Sequence, residues 1–193
     1  VKKVLELEEP YIFDHYRFID LDNKNVEQIN KLKETLTHID PNKIIAKVAD
    51  CNEQIPILAK HLKTKKYAAL IFLDPFGMQV KWDAISTLKG TRSDIWILIP
   101  SGVAINRLIG KDGKLYTEKL ETFFGMSKKE ISDIFYKKDT TQGSLFDHIE
   151  DSKIKITNPI EKIATIYINQ LKNVWEHVTE KPLILKNSRN NLS

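Results

Sequence analysis

A run of apolar residues at Tyr67–Leu73 constrains the fold of this chain more than any other feature. The run YAALIFL contains no charged residue. It is far shorter than the roughly 20 residues that a membrane-spanning helix needs. A short uninterrupted apolar run is typical of a parallel strand that other elements cover on both faces. Because Asp74-Pro75 follows directly, the sequence predicts a central strand that ends at Leu73.

Further apolar runs alternate with segments of helical spacing. Strands are predicted at Tyr16–Leu21, Ile44–Ala49 and Ile95–Ile99. Between them, apolar residues recur at the spacing of a buried helix face, and a helix is also predicted over Trp82–Leu88. Those apolar residues are Val26, Ile29, Leu32 and Leu36 after the first run, and Ile55, Ile57, Leu58 and Leu62 after the second. This alternation predicts an α/β fold with a Rossmann-like, doubly wound, mostly parallel sheet.

The second half of the chain follows a different pattern. Apolar density falls over residues 110–156, where short helices are predicted at Leu115–Phe124 and Lys128–Tyr136, as a helical insertion beside the sheet. A long helix is predicted from Ile160 to Val178, and Leu183–Leu185 is expected to open a strand. At 193 residues, one domain is predicted over residues 1–193. Because the chain starts at Val1 and stops after a strand-like segment, residues are expected to be missing at both ends.

Composition narrows the function classes. Hydrophobic residues make up 41% of the chain and charged residues 29%, as in ordinary soluble proteins. No membrane association is therefore expected. The net charge of +4 is compatible with a nucleic-acid partner. Because Cys51 is the single cysteine, no internal disulfide is possible, and a cytoplasmic location fits best. The histidines show no close metal-ligand spacing, so no metal site is predicted.

Aspartates follow the predicted strands. Asp20 and Asp22 end the first strand, Asp50 follows the second, and Asp74 follows the third. Ligands of open parallel sheets bind beyond the carboxyl ends of the strands, where carboxylates accept hydrogen bonds from ribose hydroxyls or an adenine amino group. The alternative is that each aspartate caps the helix that follows it. The repetition at successive strand ends favours a nucleoside site.

The tetrapeptide Asp74-Pro75-Phe76-Gly77 is the sharpest local motif. Proline stiffens the backbone after the strand, the aromatic ring can stack on a planar group, and glycine permits a turn close to a ligand. The same residues also build plain turns between a strand and a helix. The motif is therefore a candidate catalytic segment of moderate specificity.

Other side chains carry weaker signals. Cys51 follows a predicted strand end and could be a nucleophile, but a single cysteine is more often a small buried residue. Trp82, Trp96 and Trp175 lie in apolar patterns, which favours packing in the core. The basic stretch Lys60–Lys66 could face phosphates, although such lysines more often keep a helix soluble.

Several of these segments together resemble one family. The segments YRFIDLD (Tyr16–Asp22), FLDPFGMQVKW (Phe72–Trp82) and IWILIPSGVAINR (Ile95–Arg107) resemble the three-Cys-motif partner proteins, which look like Rossmann-fold methyltransferases dependent on S-adenosylmethionine. The helix Ile160–Val178 fits less clearly. The resemblance implies that Asp20 or Asp22 meets the ribose of the cofactor and that Asp50, with the adjoining Cys51, lies near the adenine. It also implies that Asp74, Pro75, Phe76 and Gly77 position the target nitrogen.

The resemblance leads to two functional hypotheses. The first is a methyltransferase that acts on an amino group of a base or nucleic acid. The second is a non-catalytic partner subunit of a three-Cys-motif protein, because fold alone does not decide function. A different nucleotide-binding α/β enzyme is disfavoured, since no Walker-type glycine-lysine loop is present.

One departure from the family concerns glycine. The family carries a glycine-rich loop after its first strand, whereas the first glycine of this chain is Gly77. Val1–Glu9 is expected to be the helix that follows this missing loop. The absence of the loop leaves either a missing segment or a degenerate cofactor site as the explanation, and the sequence favours the missing segment.

Overall fold

The computed structural model describes residues 1–75, 77–99, 117–138, 153–155 and 159–185. The chain divides into two compact units, Val1–Leu58 and Ala59–Ser193. Both combine helices with short strands, so the chain is a mixed α/β protein. Phe76, residues 100–116 and most of 139–158 lie outside the described residues, and so do parts of the predicted insertion and of Ile95–Arg107.

The first unit is built around a parallel strand pair. Strands β1 (Tyr16–Asp20) and β2 (Ile44–Val48) pair from Tyr16↔Ile44 to Asp20↔Val48. Helix α2 (Asn23–Thr35) connects them and packs on both strands, which makes a βαβ unit. The sequence predicted both strands and this helix. The remaining elements are helix α1 (Lys2–Leu5), a short 3₁₀ turn (Pro41–Lys43) and helix α3 (Cys51–Leu62), whose last turn belongs to the second unit.

Apolar side chains on α1, β1 and β2 form the core of the first unit. Leu5, Tyr16, Ile39 and Ile44 are buried together. The Tyr16 hydroxyl accepts a hydrogen bond from the Phe13 backbone N–H at 3.1 Å, so its polar end is satisfied at the boundary of the core. This packing fixes β1 and β2 side by side, and with them the loops that follow the two strands.

The second unit contains another parallel strand pair. Strands β3 (Ala69–Leu73) and β4 (Ser93–Ile97) pair from Ala69↔Ser93 to Leu73↔Ile97, with helix α4 (Trp82–Ser86) between them in the chain. Helices α5 (Thr117–Phe124), α6 (Lys128–Phe135) and α7 (Pro159–Leu171) follow, together with the short strands β5 (Tyr136–Lys138) and β6 (Lys153–Lys155). Strands β5 and β6 pair antiparallel, which the sequence did not predict.

Two strands differ from the sequence-based expectations. The central strand begins at Ala69 rather than Tyr67, and only one of its faces is buried: Ile71 and Leu73 are covered, whereas Leu70 and Phe72 are exposed. Trp96 on β4 is also exposed, so its predicted place in the core was wrong. Within the described ranges, the strands pair as two-stranded sheets.

The C-terminal helix ends earlier than its periodicity predicts. Helix α7 stops at Leu171, after which the backbone N–H groups of Asn173 and Val174 donate to the carbonyls of Gln170 and Leu171, the i→i+3 spacing that often tightens the last turn of a helix. Trp175 then donates its indole N–H to the Ser93 carbonyl at 2.9 Å, which anchors the chain at the start of β4. Leu183–Leu185, predicted to open a strand, is exposed and forms no strand.

An aromatic cluster forms the core of the second unit. Tyr167 on α7 contacts Trp82 on α4 edge-to-face, with ring centroids 5.8 Å apart, and Phe123 on α5 at 4.9 Å. Phe124 and Phe135 extend the cluster. Trp82 is buried, as the sequence predicted. The helices that the sequence assigned to an insertion thus supply three of the large, fully buried side chains of this unit, Phe123, Phe124 and Phe135.

The Tyr167 hydroxyl is the one buried side-chain polar atom without a hydrogen-bond partner in the part of the chain that the structure describes. Burial raises the pKa of this hydroxyl, so it stays neutral over the working pH range. An unsatisfied buried hydroxyl costs about 1–3 kcal/mol. We therefore expect Tyr167→Phe to raise the free energy of unfolding by about 1 kcal/mol in urea denaturation. A loss of stability would instead reveal a partner for the hydroxyl.

Candidate functional site

The carboxyl ends of β1 and β2 lie side by side in the first unit. The Ala49 backbone N–H donates to the Asp20 carbonyl at 3.0 Å, one position beyond the last strand pair Asp20↔Val48. Asp50 follows Ala49 directly. The two predicted strand-end aspartates therefore belong to one edge of the same small sheet, and both are half-buried.

Asp20 organises the loop between β1 and α2. Its Oδ1 accepts a hydrogen bond from the Asp22 backbone N–H at 2.8 Å, and its Oδ2 accepts one from the Asn25 side chain at 2.9 Å. Both carboxylate oxygens thus face the protein's own donors. Sequence reasoning missed Asn25; the signal available was an amide side chain in the first turn of a helix that follows an acidic strand end.

Asp22 and Asp50 cap the helices that follow them. Asp22 Oδ1 accepts from the Lys24 backbone N–H at 2.9 Å, at the start of α2. Asp50 Oδ1 accepts from the backbone N–H of Asn52 at 2.8 Å and from its side-chain amide at 2.9 Å, at the start of α3. The capping interpretation therefore describes the local geometry of both residues.

Capping leaves part of the Asp22 carboxylate available. Asp22 is exposed, and no hydrogen bond to its Oδ2 is found among the described residues. A carboxylate has lone pairs for about four hydrogen bonds, so one oxygen can cap α2 while the other accepts from a ligand. Asp22 thus has one oxygen that accepts no hydrogen bond from the described residues, whereas each oxygen of Asp20 already accepts one from the loop.

Cys51 is the first residue of α3 and is half-buried. Burial raises the pKa of its thiol, and the neighbouring Asp50 carboxylate raises it further by repelling a thiolate. The nucleophile is the thiolate. The position therefore opposes nucleophilic chemistry and leaves Cys51 as a neutral side chain next to Asp50.

The raised pKa of the Cys51 thiol predicts that the residue is alkylated slowly. At pH 7.5, iodoacetamide should alkylate Cys51 several-fold more slowly in the native protein than in urea, where the pKa returns to about 8.5. Since Cys51 is the single cysteine, mass spectrometry reads the rate without ambiguity. Asp50→Asn keeps the helix cap but removes the repelling charge, so it should accelerate alkylation. A native rate equal to the unfolded rate would contradict this assignment.

The Asp74 segment lies in the second unit. The Leu98 backbone N–H donates to the Leu73 carbonyl at 2.8 Å, so the pairing of β3 continues up to the residue before Asp74. Asp74 is exposed and Pro75 is half-buried. Gly77 has φ +72°, a backbone conformation that favours glycine, as the predicted turn requires. Phe76 lies outside the described residues.

The structure therefore groups the predicted site residues by unit. Asp20, Asp22, Asp50 and Cys51 share one sheet edge in the first unit, and Asp74, Pro75 and Gly77 follow the central strand of the second. The described residues contain no group of three or more His, Cys, Asp or Glu side chains able to hold a metal ion. Among the helices of the described ranges, none combines the length and apolar character needed to cross a bilayer.

Comparison with known proteins gives no relative from which a function could be carried over. No family model, no curated protein and no solved structure matches this chain.

Proposed function

We propose that this protein is a methyltransferase that binds S-adenosylmethionine and acts on an amino group of a nucleobase or nucleic acid. The proposal includes the finer fold assignment of a Rossmann-like, mostly parallel sheet. The observed βαβ unit of β1, α2 and β2 supports it, since such units build these sheets.

The observation that carries the proposal is the acidic edge at the ends of β1 and β2. Asp22 presents an exposed carboxylate oxygen there, next to the Ala49–Asp20 hydrogen bond that holds the two loops together. A carboxylate at this position can accept hydrogen bonds from the hydroxyl groups of a ribose. These residues fit the nucleoside part of the cofactor, with Asp22 accepting from the ribose and Asp50 near the adenine.

The Asp74 segment would supply the acceptor side of the reaction. Asp74 and the Pro75 carbonyl would accept hydrogen bonds from the substrate amino group and so direct its lone pair toward the methyl donor. Phe76 would stack on the base. The bound cofactor supplies an activated methyl group, and alignment of two reactants can account for roughly 7–11 kcal/mol of the barrier.

Calorimetric titration tests the cofactor half of the proposal. We expect S-adenosylmethionine and S-adenosylhomocysteine to bind, and Asp22→Asn to weaken both by about tenfold, because a hydrogen bond to a charged group is worth about 1.5–3 kcal/mol. Asparagine caps helices as well as aspartate does. The variant therefore changes the ligand contact and leaves the fold intact.

Asp40→Asn is the matched control. Asp40 is also an exposed aspartate whose Oδ1 accepts from a backbone N–H, that of Asn42 at 2.8 Å, but it precedes β2 instead of following a strand. The control should bind like the wild type. Absence of a heat signal at millimolar ligand would overturn the proposal and favour the partner-subunit hypothesis.

A further inference from the structure

One face of the β3–β4 pair is exposed and rich in large apolar side chains. Leu70, Phe72 and Trp96 are 54%, 68% and 58% exposed. Phe72 and Trp96 are register partners, so their rings project side by side from adjacent strands about 4.8 Å apart. We call these three residues and Asp94, the partner of Leu70, the aromatic face.

Cations gather where these strands begin. Lys63, Lys65 and Lys66 precede β3, Lys89 and Arg92 precede β4, and all five side chains are exposed. The two loops are joined, because the Ala69 backbone N–H donates to the Arg92 carbonyl at 2.9 Å and the Arg92 guanidinium to the Lys65 carbonyl at 3.5 Å. Residues 60–73 and 84–93 contain no acidic residue.

We propose that the aromatic face binds single-stranded nucleic acid. Bases would stack on Phe72 and Trp96, while the phosphates would lie near the cationic strand starts. Arg92 precedes Trp96 by about 13 Å along the strand, a span of a few nucleotides. Stacking platforms flanked by positive charge are the common solution for single strands.

The charges favour a polyanion over a second copy of this chain. The formal net charge is +4, so two copies repel each other at long range, whereas a phosphate backbone is attracted. The proposal does not depend on methyl transfer, because binding to this face needs no cofactor. A protein without affinity for S-adenosylmethionine would still bind a single strand here.

Removing the charge of Asp94 is expected to strengthen binding rather than weaken it. Its exposed carboxylate lies on the aromatic face between Arg92 and Trp96 along β4 and would repel a phosphate backbone. Asp94→Asn should therefore tighten binding, whereas Asp83→Asn, an exposed acidic residue on α4, should leave it nearly unchanged. A net-charge effect alone would strengthen binding equally in both variants.

Fluorescence anisotropy with a labelled oligothymidine of roughly 15 nucleotides measures the binding. Phe72→Ala and Trp96→Ala should each weaken it by roughly 5- to 100-fold, as expected for loss of one stacked base. Trp96→Phe should retain most of the affinity, because phenylalanine still offers a ring. Since both side chains are exposed, thermal unfolding should be nearly unchanged in all three variants.

Charge-matched pairs test the phosphate contacts. The double variant Lys63→Gln/Lys66→Gln should make the plot of log affinity against log salt concentration less steep by about 1.4. Each lost phosphate contact to a single strand accounts for about 0.7 of that slope. The control double variant Lys24→Gln/Lys31→Gln replaces two exposed lysines of α2 and should leave this slope unchanged. The proposal is overturned if the oligonucleotide does not bind, if Trp96→Ala binds it as tightly as the wild type, or if the face instead mediates self-association that Trp96→Ala abolishes.

Discussion

Gly125→Ala is expected to destabilise the protein by about 2–4 kcal/mol, because the added methyl group meets both backbone strain and a packed ring. Gly125 has φ +63°, where an alanine costs about 1 kcal/mol. An added Cβ would also lie 2.5 Å from Trp82 Cγ and 2.9 Å from Trp82 Cβ. Because Trp82 is itself packed against Tyr167, it cannot move away without disturbing the aromatic cluster.

The glycine also closes helix α5. The backbone N–H groups of Gly125 and Met126 both donate to the Glu121 carbonyl, at 2.8 and 3.2 Å, as in a helix that ends in a left-handed residue. The end of helix α5 and the contact with Trp82 therefore both require glycine at position 125. Urea denaturation, monitored by tryptophan fluorescence, measures the loss in the free energy of unfolding.

Gly90→Ala separates the two causes. Gly90 has a similar φ of +77°, but nothing lies within 4 Å of an added Cβ. Its variant should lose only about 1 kcal/mol, from backbone strain. In a Trp82→Leu background, Gly125→Ala should cost correspondingly less. Equal losses for the two glycine variants in the wild-type background would show that the Trp82 contact does not limit residue 125.

Asp74→Ala is expected to lower the rate of methyl transfer by at least about 100-fold, a substantial part of the barrier reduction that alignment can supply. The substitution removes the proposed acceptor of the substrate amino group. Since Asp74 is exposed, its loss should leave the free energy of unfolding nearly unchanged. Cofactor affinity should also stay close to the wild-type value, because Asp74 is not assigned to the nucleoside.

The assay measures release of S-adenosylhomocysteine with single-stranded DNA, single-stranded RNA and free nucleosides as methyl acceptors. Asp83→Ala removes an equal charge farther along the chain, on α4, and should retain full activity. A fully active Asp74→Ala protein would remove Asp74 from the mechanism. An inactive Asp83→Ala protein would point to general charge rather than to the motif.

The sequence predicted the local elements well and the packing less well. The spacing of Val26 and Ile29 led to α2, and the apolar runs led to β1, β2 and most of β3, because these patterns depend on neighbours along the chain. The exposure of Phe72 and Trp96 could not be read from an apolar run. An uninterrupted run is the same whether other elements cover one face or both.

The candidate site shows the same limit. Aspartates at strand ends were predicted, and Asp20 and Asp50 do share a sheet edge. The sequence could not show that Asp20 spends both oxygens on the loop or that Asn25 holds one of them, since those bonds depend on the loop's conformation. Likewise, the burial that makes Cys51 a poor nucleophile arises from packing around α3.

Amide chemical-shift mapping during a titration with S-adenosylmethionine tests the cofactor site most directly. We predict that the largest shifts fall on the loops after β1 and β2, at Asp22, Lys24, Cys51 and Asn52, and that Asp22→Asn reduces them at equal ligand concentration. Shifts confined to other parts of the protein, or no shifts at millimolar ligand, would contradict a cofactor site at this acidic edge.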